Sequence, residues 1–304
     1  MLYGYEVTHA TNSEMNELEQ AHRYHAKVVQ GVPQNVPTPA PLAPLGWQSI
    51  KSYIAIQKLT FLWRILSFKC NNLYKVIITS LFFMYVQNQE LGQSAVKQAF
   101  DLAKKYGMYD TFVAAIFNNE IDNYDAVKRK IKTRVKSLNH EEWYASCMMY
   151  PCLSDIYLSV QTETAMNVWY KCCNSMPNLT KQVSNIMAII MGCQPKGMQH
   201  NIDGLTCLLC NTGERDTPCH VLLVCKCPTL RNARDVYWKA ITDEMPLAMR
   251  NSVEQYASPQ RSKFILSCMG GAYIQEWNGI YRHIALFVTK LYQERDALYR
   301  AMQS

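Results

Sequence analysis

Apolar residues recur at intervals of three and four along most of the chain, the spacing that places them on one face of an α-helix. Residues 11–30 show this first, since Thr11 and Glu14 fit a capping box at the start and Gly31 follows the end. The positions expected to face the core are Leu18, Ala21, His25 and Val28. From Gly46 onward the spacing continues at Ile50, Ile54, Leu59, Leu62 and Leu66.

Strand-like alternation of apolar and polar residues is rare, so the pattern predicts a mostly α, helical bundle-like fold with a small zinc module. Residues 94–107, SAVKQAFDLAKKYG, end in basic residues and Gly107, as helix C-termini do. The longest apolar run, VIITSLFFMYV at 76–86, has 11 residues. Because this run is too short to cross a bilayer, it predicts a buried helix.

Five prolines fall within the 13 residues 32–44, VPQNVPTPAPLAP. Proline removes a backbone donor and breaks helices, so this segment predicts an extended connector. The predicted organisation is an N-terminal helix at 1–31, a Pro-rich linker at 32–45, a helical region at 46–200, a CCHC zinc module at 201–230 and C-terminal helices at 231–304.

The chain has 304 residues, of which 49% are hydrophobic, enough to bury one or two ordinary cores. Its N-terminus has no basic start followed by an apolar run, so no secretory signal is expected. An intracellular location, nuclear or cytoplasmic, follows. In such a reducing compartment the cysteines are expected to be free thiols.

Residues 207–227, CLLCNTGERDTPCHVLLVCKC, hold five of the twelve cysteines and one of the seven histidines. A disulfide framework, a redox thiol pair and scattered buried thiols are the alternatives to a metal site. Two cysteines separated by two residues can direct both thiolates to one ion, and the whole spacing is C-x2-C-x9-H-x4-C. It predicts a structural Zn²⁺ site, closed by four protein ligands. The predicted ligands are Cys207, Cys210, His220 and Cys225.

Residues five apart in a regular α-helix lie about 140° apart around its axis. His220 and Cys225 therefore cannot both face one ion from such a helix. The helix that begins near His220 is expected to end before Cys225, and Pro228 fits a break there. Cys219 and Cys227 flank the pattern and are the alternative ligands.

The segment CLLCNTGERDTPCHVLLVCKCPTLRNARDVYW resembles the zinc-binding C-terminal region of reverse transcriptases of non-LTR (LINE-like) retrotransposons. Those often read C-x2-C, an acidic or Gly-containing loop, H-x4-C-P and a helix bearing Arg. Residues 18–66, with AHRYHAKVVQGVP and LGWQSIKSYI, resemble the stretch that follows the polymerase palm and thumb. The resemblance implies a region that binds RNA or DNA beside the polymerase domain of the same element.

The polymerase of that family holds two magnesium ions with carboxylates in an Asp-Asp turn. No Asp-Asp pair occurs in this sequence, and no His, Asp and Glu set marks an endonuclease. The chain is therefore expected not to be an enzyme, and no catalytic residue is predicted.

Residues 126–139 contain no acidic residue. Val127, Ile131, Val135 and Leu138 fall at steps of four, four and three, which predicts an amphipathic basic helix. A solvated helix face is the simpler interpretation, but the net charge of +7 favours phosphate contact. The residues expected to contact nucleic acid are Lys128, Arg129, Lys130, Lys132, Arg134 and Lys136, together with Arg231 and Arg234 beyond the cysteines.

The predicted function is therefore binding of RNA or DNA, with neither a membrane nor a small-molecule substrate as partner. The alternative is a helical protein-interaction or scaffold module derived from a mobile element, in which the zinc is purely structural.

Overall fold

The computed structural model describes residues 4–87, 92, 94–117, 123–154, 157–160, 167–193, 206–210, 212–267 and 278–303. Within these ranges the chain forms α-helices, one 3₁₀ turn (Pro177–Leu179) and one π-helix (His220–Val224), and no β-strand. The prediction of a mostly α fold is confirmed. None of the helices in this described part combines the length and the apolar character needed to span a membrane.

The helices are α1 (Asn12–Gln30), α2 (Ile50–Leu66), α3 (Leu73–Val86), α4 (Ala95–Lys105), α5 (Tyr109–Phe117), α6 (Tyr124–Met148), α7 (Pro151–Ser154), α8 (Tyr157–Val160), α9 (Val168–Ser175), α10 (Thr180–Ile190), α11 (Pro228–Glu244), α12 (Leu247–Gln255), α13 (Ser258–Leu266) and α14 (Asn278–Gln303).

The chain divides into two compact units, and the divisions fall within α1, between α1 and α2, and within α6. The first unit comprises Met1–His22 and Gln48–Trp143, and the second comprises Arg23–Trp47 and Tyr144–Ser304. The domain limits given above stay a prediction.

The core of the first unit lies between α2, α4, α5 and α6. The five apolar positions expected on α2 are all buried, and Leu59, Leu62 and Leu66 lie in this core. The rings of Trp63 and Phe112 stack there with centroids 5.8 Å apart. On α6, Val127, Ile131 and Val135 are buried, which confirms the predicted amphipathic helix. α6 is therefore held by its apolar edge.

The ends of α1 confirm the prediction, but its buried face does not. The Thr11 backbone N–H donates to the Glu14 carboxylate at 2.8 Å, and the Glu14 N–H donates to the Thr11 hydroxyl at 3.2 Å. Gly31, with φ +66°, ends the helix. Ala21, His25 and Val28 are exposed, and the buried positions are instead Met15, Glu19, Ala26 and Gln30.

Hydrogen bonds explain this difference. Glu19 accepts from the Lys51 N–H at 3.0 Å, and the Gln30 amide donates to the carbonyls of Ala26 and Pro41 at 2.9 and 2.6 Å. Polar side chains that have such hydrogen-bond partners can be buried at positions where the sequence pattern leads one to expect apolar residues.

The apolar run at 76–86 lies in a helix, α3, as predicted, but the prediction that this helix is buried is wrong. Phe82 is its one buried apolar residue among those described. α3 packs against α2 and α4, and these neighbours cover one side of a helix that is apolar all round. The apolar side chains left exposed are Leu73, Tyr74, Val76, Ile77, Phe83, Met84 and Val86.

The Pro-rich segment is not an extended connector. It folds into successive turns, in which Val36 donates to the Pro33 carbonyl at 3.3 Å and Ala40 to that of Pro37 at 3.0 Å. Val32, Val36 and Ala40 are buried within the second unit. The Tyr157 hydroxyl donates to the Ala40 carbonyl at 2.7 Å. Proline fixes φ near the value that turns require, so a proline-dense segment can pack as turns.

The second unit is built around α14, which packs against α10, α11 and the π-helix. Ile284, Val288 and Leu291 of α14 are fully buried. The Trp169 indole N–H donates to the Leu266 carbonyl at 2.7 Å, and its ring meets Tyr281 edge to face at 5.9 Å. This core supports the cysteine-rich loop on one side of α14.

Candidate metal centre

Four side chains of the second unit bring their ligand atoms together. The sulfur atoms of Cys207 and Cys225 are 3.9 Å apart, and the Cys210 sulfur lies 3.4 Å from Nε2 of His220. All four ligand atoms lie within 4.8 Å of one another. The residues that the spacing predicted as ligands are therefore close enough to bind one metal ion.

Two of these separations match those of a tetrahedral metal site. With about 2.3 Å to sulfur and about 2.0 Å to nitrogen, tetrahedral geometry places two sulfurs about 3.8 Å apart and a sulfur about 3.5 Å from a nitrogen. The observed 3.9 and 3.4 Å are close to both values. Cys207, His220 and Cys225 are buried, so the centre is closed to water on most sides.

The first two ligands are held by a loop that folds back on itself. Thr206 pairs with Arg215 in an isolated antiparallel bridge, and the Cys207 N–H donates to the Glu214 carbonyl at 2.8 Å. Gly213 has φ +72°, a conformation that glycine adopts without steric cost. The glycine therefore permits the turn that returns the chain to Cys207.

A π-helix positions the other two ligands. The Cys225 N–H donates to the His220 carbonyl at 2.7 Å, the i to i+5 bond that defines this winding. Cys225 then leaves the helical conformation, with φ −52° and ψ 125°, and α11 begins at Pro228. The prediction that the helix ends before Cys225 is confirmed. The wider π turn, which the sequence pattern did not indicate, lets residues five apart reach one ion.

A carboxylate and a guanidinium support the ligands from outside. Oε2 of Glu214 lies 2.7 Å from Nδ1 of His220, which leaves Nε2 for the metal. Arg234 of α11 donates to the Val221 carbonyl at 3.2 Å and also to the Cys225 carbonyl. Sequence reasoning missed both roles, although an acidic residue six positions before a ligand histidine was an available signal.

The local environment gives the three cysteine thiols different pKa values. Burial raises the pKa of Cys225 to about 12 and also raises the pKa of Cys207. Burial opposes ionisation of Cys210 too, but hydrogen bonds from Thr212, Lys226 and Cys207 together outweigh it and lower its pKa to about 6. A bound cation favours the thiolate form of all three. Without one, the buried thiols are held protonated.

The loop is anchored to α14 through Asp216. The Tyr299 hydroxyl donates to Oδ2 of Asp216 at 2.9 Å and accepts from the Leu208 N–H at 3.3 Å. Arg295, also on α14, forms an ion pair with the same carboxylate. The Cys207-x2-Cys210 turn, through Leu208, and the returning segment, through Asp216, are thereby tied to the core helix. No sequence pattern indicated this contact.

Cys219 and Cys227 do not belong to the ligand group. Cys219 is partly exposed and Cys227 is buried, and both are free thiols. Among the described residues the four predicted ligands form the only group of three or more His, Cys, Asp and Glu side chains placed to share an ion.

The residues expected to contact nucleic acid lie in different places. Those on α6 belong to the first unit, whereas Arg231 and Arg234 follow the metal loop in the second. Arg231 is exposed, whereas Arg234 is half-buried against the π-helix. Contact of Arg234 with phosphate stays a prediction.

No protein-family model matches the chain, and no curated protein or solved structure matches it either.

Proposed function

We propose that this chain is a non-catalytic nucleic-acid-binding region that acts beside a retrotransposon-type polymerase, with Zn²⁺ bound by Cys207, Cys210, His220 and Cys225. The observation that carries the proposal is the basic face of α6. Five of its six cations are exposed, namely Arg129, Lys130, Lys132, Arg134 and Lys136.

The arrangement of these cations favours an external anion. Lys128, Lys132 and Lys136 are spaced four apart, as are Lys130 and Arg134, so each forms a row with a repeat of about 6 Å. Like charges at this spacing destabilise a helix. Among the described residues, no carboxylate lies within 4 Å of any of the six. Phosphates along a nucleic-acid strand supply the missing counter-charge.

Zinc is the metal that the donor set favours. Three thiolates and one imidazole in tetrahedral array suit Zn²⁺ and leave no position for water, as in structural sites. When bound, the ion would hold the loop together, and Glu214 would orient His220. Exposed Arg231 follows on α11 and extends the proposed contact to a second surface.

Binding should be tested by measuring affinity for a single-stranded RNA and a DNA duplex at three salt concentrations. Each neutralised phosphate is expected to add about 0.7 to 0.9 to the slope of log affinity against log salt. Lys130→Glu with Arg134→Glu should flatten the slope and lower the affinity for RNA and DNA alike, since contacts to the phosphate backbone do not depend on base sequence.

Arg231→Ala should lower the slope and both affinities by a smaller amount. Lys171→Glu with Lys181→Glu, which changes the same charge on exposed positions elsewhere, is the matched control. A response independent of salt in the unmodified chain contradicts the proposal.

The absent Asp-Asp pair supports a non-catalytic role. Primer extension on an RNA template with magnesium or manganese should give no incorporation above a heat-inactivated sample. Incorporation that exceeds this background would contradict that part of the proposal.

A scaffold role is the second candidate, and the exposed apolar side chains of α3 favour it. Clusters of this kind mark surfaces where other proteins bind. If α3 is such a surface, Ile77→Gln with Phe83→Gln should abolish association with a protein partner and leave nucleic-acid affinity unchanged.

A further inference from the structure

A cleft of about 290 Å³ opens in the first unit beside the start of the basic face. α2 contributes Thr60, Phe61 and Arg64, and α6 contributes Tyr124 and Lys128. Its volume is near the lower limit of about 300 Å³ for small-ligand sites. The cleft therefore has room for one small planar group and not for a large ligand.

Both helices present an aromatic ring together with a cation. The Arg64 guanidinium carbon lies 5.1 Å from the centroid of Phe61, one turn earlier on α2. Lys128 Nζ lies 5.7 Å from the centroid of Tyr124, one turn earlier on α6. Rings for stacking combined with cations for the backbone are the elements with which proteins hold single-stranded nucleic acid.

No described carboxylate in the wall of the cleft forms an ion pair with its two cations. Glu6 also lines it, but Glu6 accepts a hydrogen bond from the Gly4 N–H at 3.1 Å and forms no ion pair with Arg64 or Lys128. Lys58, buried nearby on α2, interacts favourably with the same carboxylate. The two lining cations thus stay available to an anion.

A polar atom in the wall also lacks a partner. Oγ1 of Thr60 is buried and makes no hydrogen bond to any described residue. Buried hydroxyls in native proteins are nearly always bonded, so the partner of this one lies outside the described residues. A hydroxyl both donates and accepts, which is the chemistry that the polar edge of a base requires.

We propose that this cleft binds one unpaired nucleotide, with its base stacked on Phe61 or Tyr124 and its phosphate held by Arg64 and Lys128. The inference rests on the proposed nucleic-acid binding by α6 and adds that the strand is single at this point. In a duplex the faces of each base are covered by its neighbours and cannot meet a ring. Lys128 also begins the row that continues through Lys132 and Lys136, so the strand runs from the cleft along α6.

The test compares a ten-nucleotide single strand with the same strand carrying abasic sites, which keep every phosphate and lose the bases. Stacking of one base corresponds to about 5- to 150-fold in affinity. The intact strand should bind more tightly than the abasic strand by a factor in this range. Phe61→Leu with Tyr124→Leu should remove that difference and leave duplex affinity unchanged. Tyr74→Leu, which removes an exposed ring on α3, is the matched control.

Because Phe61 is partly buried, Arg64→Gln supplies a variant at an exposed position. It should lower the single-strand salt slope by about 0.7, one phosphate contact, with the helical content unchanged. The cleft proposal is overturned if intact and abasic strands bind equally and Arg64→Gln leaves the salt slope unaltered. That result would leave the α6 proposal standing. If the double variant Lys130→Glu with Arg134→Glu keeps its affinity and still binds the intact strand more tightly than the abasic one, the α6 proposal is overturned and the cleft proposal is supported. No binding of either strand at low salt overturns both.

Discussion

Arg295 of α14 and Asp216 of the metal loop form an ion pair in which both side chains are almost completely buried. Nε of Arg295 lies 3.4 Å from Oδ1, while Nη2 and the Tyr299 hydroxyl both donate to Oδ2. The guanidinium carbon also lies 4.7 Å from the Tyr299 ring centroid. Burial opposes the charge on Arg295, yet its bonds to Asp216 prevail and raise its pKa. Each charge is thus buried only because the other accompanies it.

Removing one member of this pair should be costly. Asp216→Ala leaves a buried guanidinium without a carboxylate, and about 3–5 kcal/mol of unfolding free energy should be lost. Asp216→Leu with Arg295→Met removes both charges and should recover much of that loss. Urea unfolding of the three proteins measures this. A single variant within about 1 kcal/mol of the parent would mean that water reaches the pair.

Replacing a ligand should release the metal. Purified protein is expected to contain one zinc per chain, and Cys207→Ser or Cys210→Ser should reduce this to near zero. The same variants should loosen residues 205–230 and leave most helix intact, because the helices bury apolar faces of their own. Metal analysis and far-ultraviolet circular dichroism provide the readouts, and Cys219→Ser is the control. A metal content near zero in the parent protein, purified under reducing conditions, would contradict the predicted metal site.

The carboxylate behind His220 should tune affinity without supplying a ligand. Glu214→Gln retains an acceptor near Nδ1 but loses its charge, and zinc affinity should fall about 10- to 100-fold. Competition with a chromophoric chelator measures the change. Glu254→Gln, at an exposed position on α12, should have no effect. Equal affinities in the Glu214 variant and the parent would show that the 2.7 Å contact does not orient the imidazole.

Lys58 should make stability depend on pH. Its ammonium is buried and donates to the Thr8 carbonyl, and burial lowers its pKa from 10.5 to about 8. Between pH 8 and 10.5 the unfolded chain therefore binds more protons than the folded one, so this group's contribution to stability improves as the pH rises. Lys58→Met removes this titration. The stability of the variant relative to the parent should be greatest at pH 8 and below, and should decline toward pH 10. A constant difference in unfolding free energy across that range would contradict the lowered pKa.

Local spacing was enough to predict which four candidate ligands lie together and where the helices end. Cys207, Cys210, His220 and Cys225 lie within 18 positions of one another, so a loop and one turn bring them together. The Thr11 and Glu14 cap is likewise local. Such features follow from the backbone geometry of neighbouring residues.

Burial could not be predicted in the same way, because it depends on elements distant in sequence. On α1, Glu19 is buried because the Lys51 N–H lies opposite it. On α3, apolar side chains such as Ile77 stay exposed because no described element covers them. The partner of Asp216 is 79 positions away, beyond the reach of any pattern.

This separation has a consequence for the order of assembly on the ribosome. At roughly 5 to 20 residues per second, Arg295 is synthesised about 4 to 16 s after Asp216, because 79 positions lie between them. All four candidate ligands have been synthesised by then. The nascent loop can therefore bring them together while Asp216 is still hydrated, and α14 later docks on a loop that is already formed.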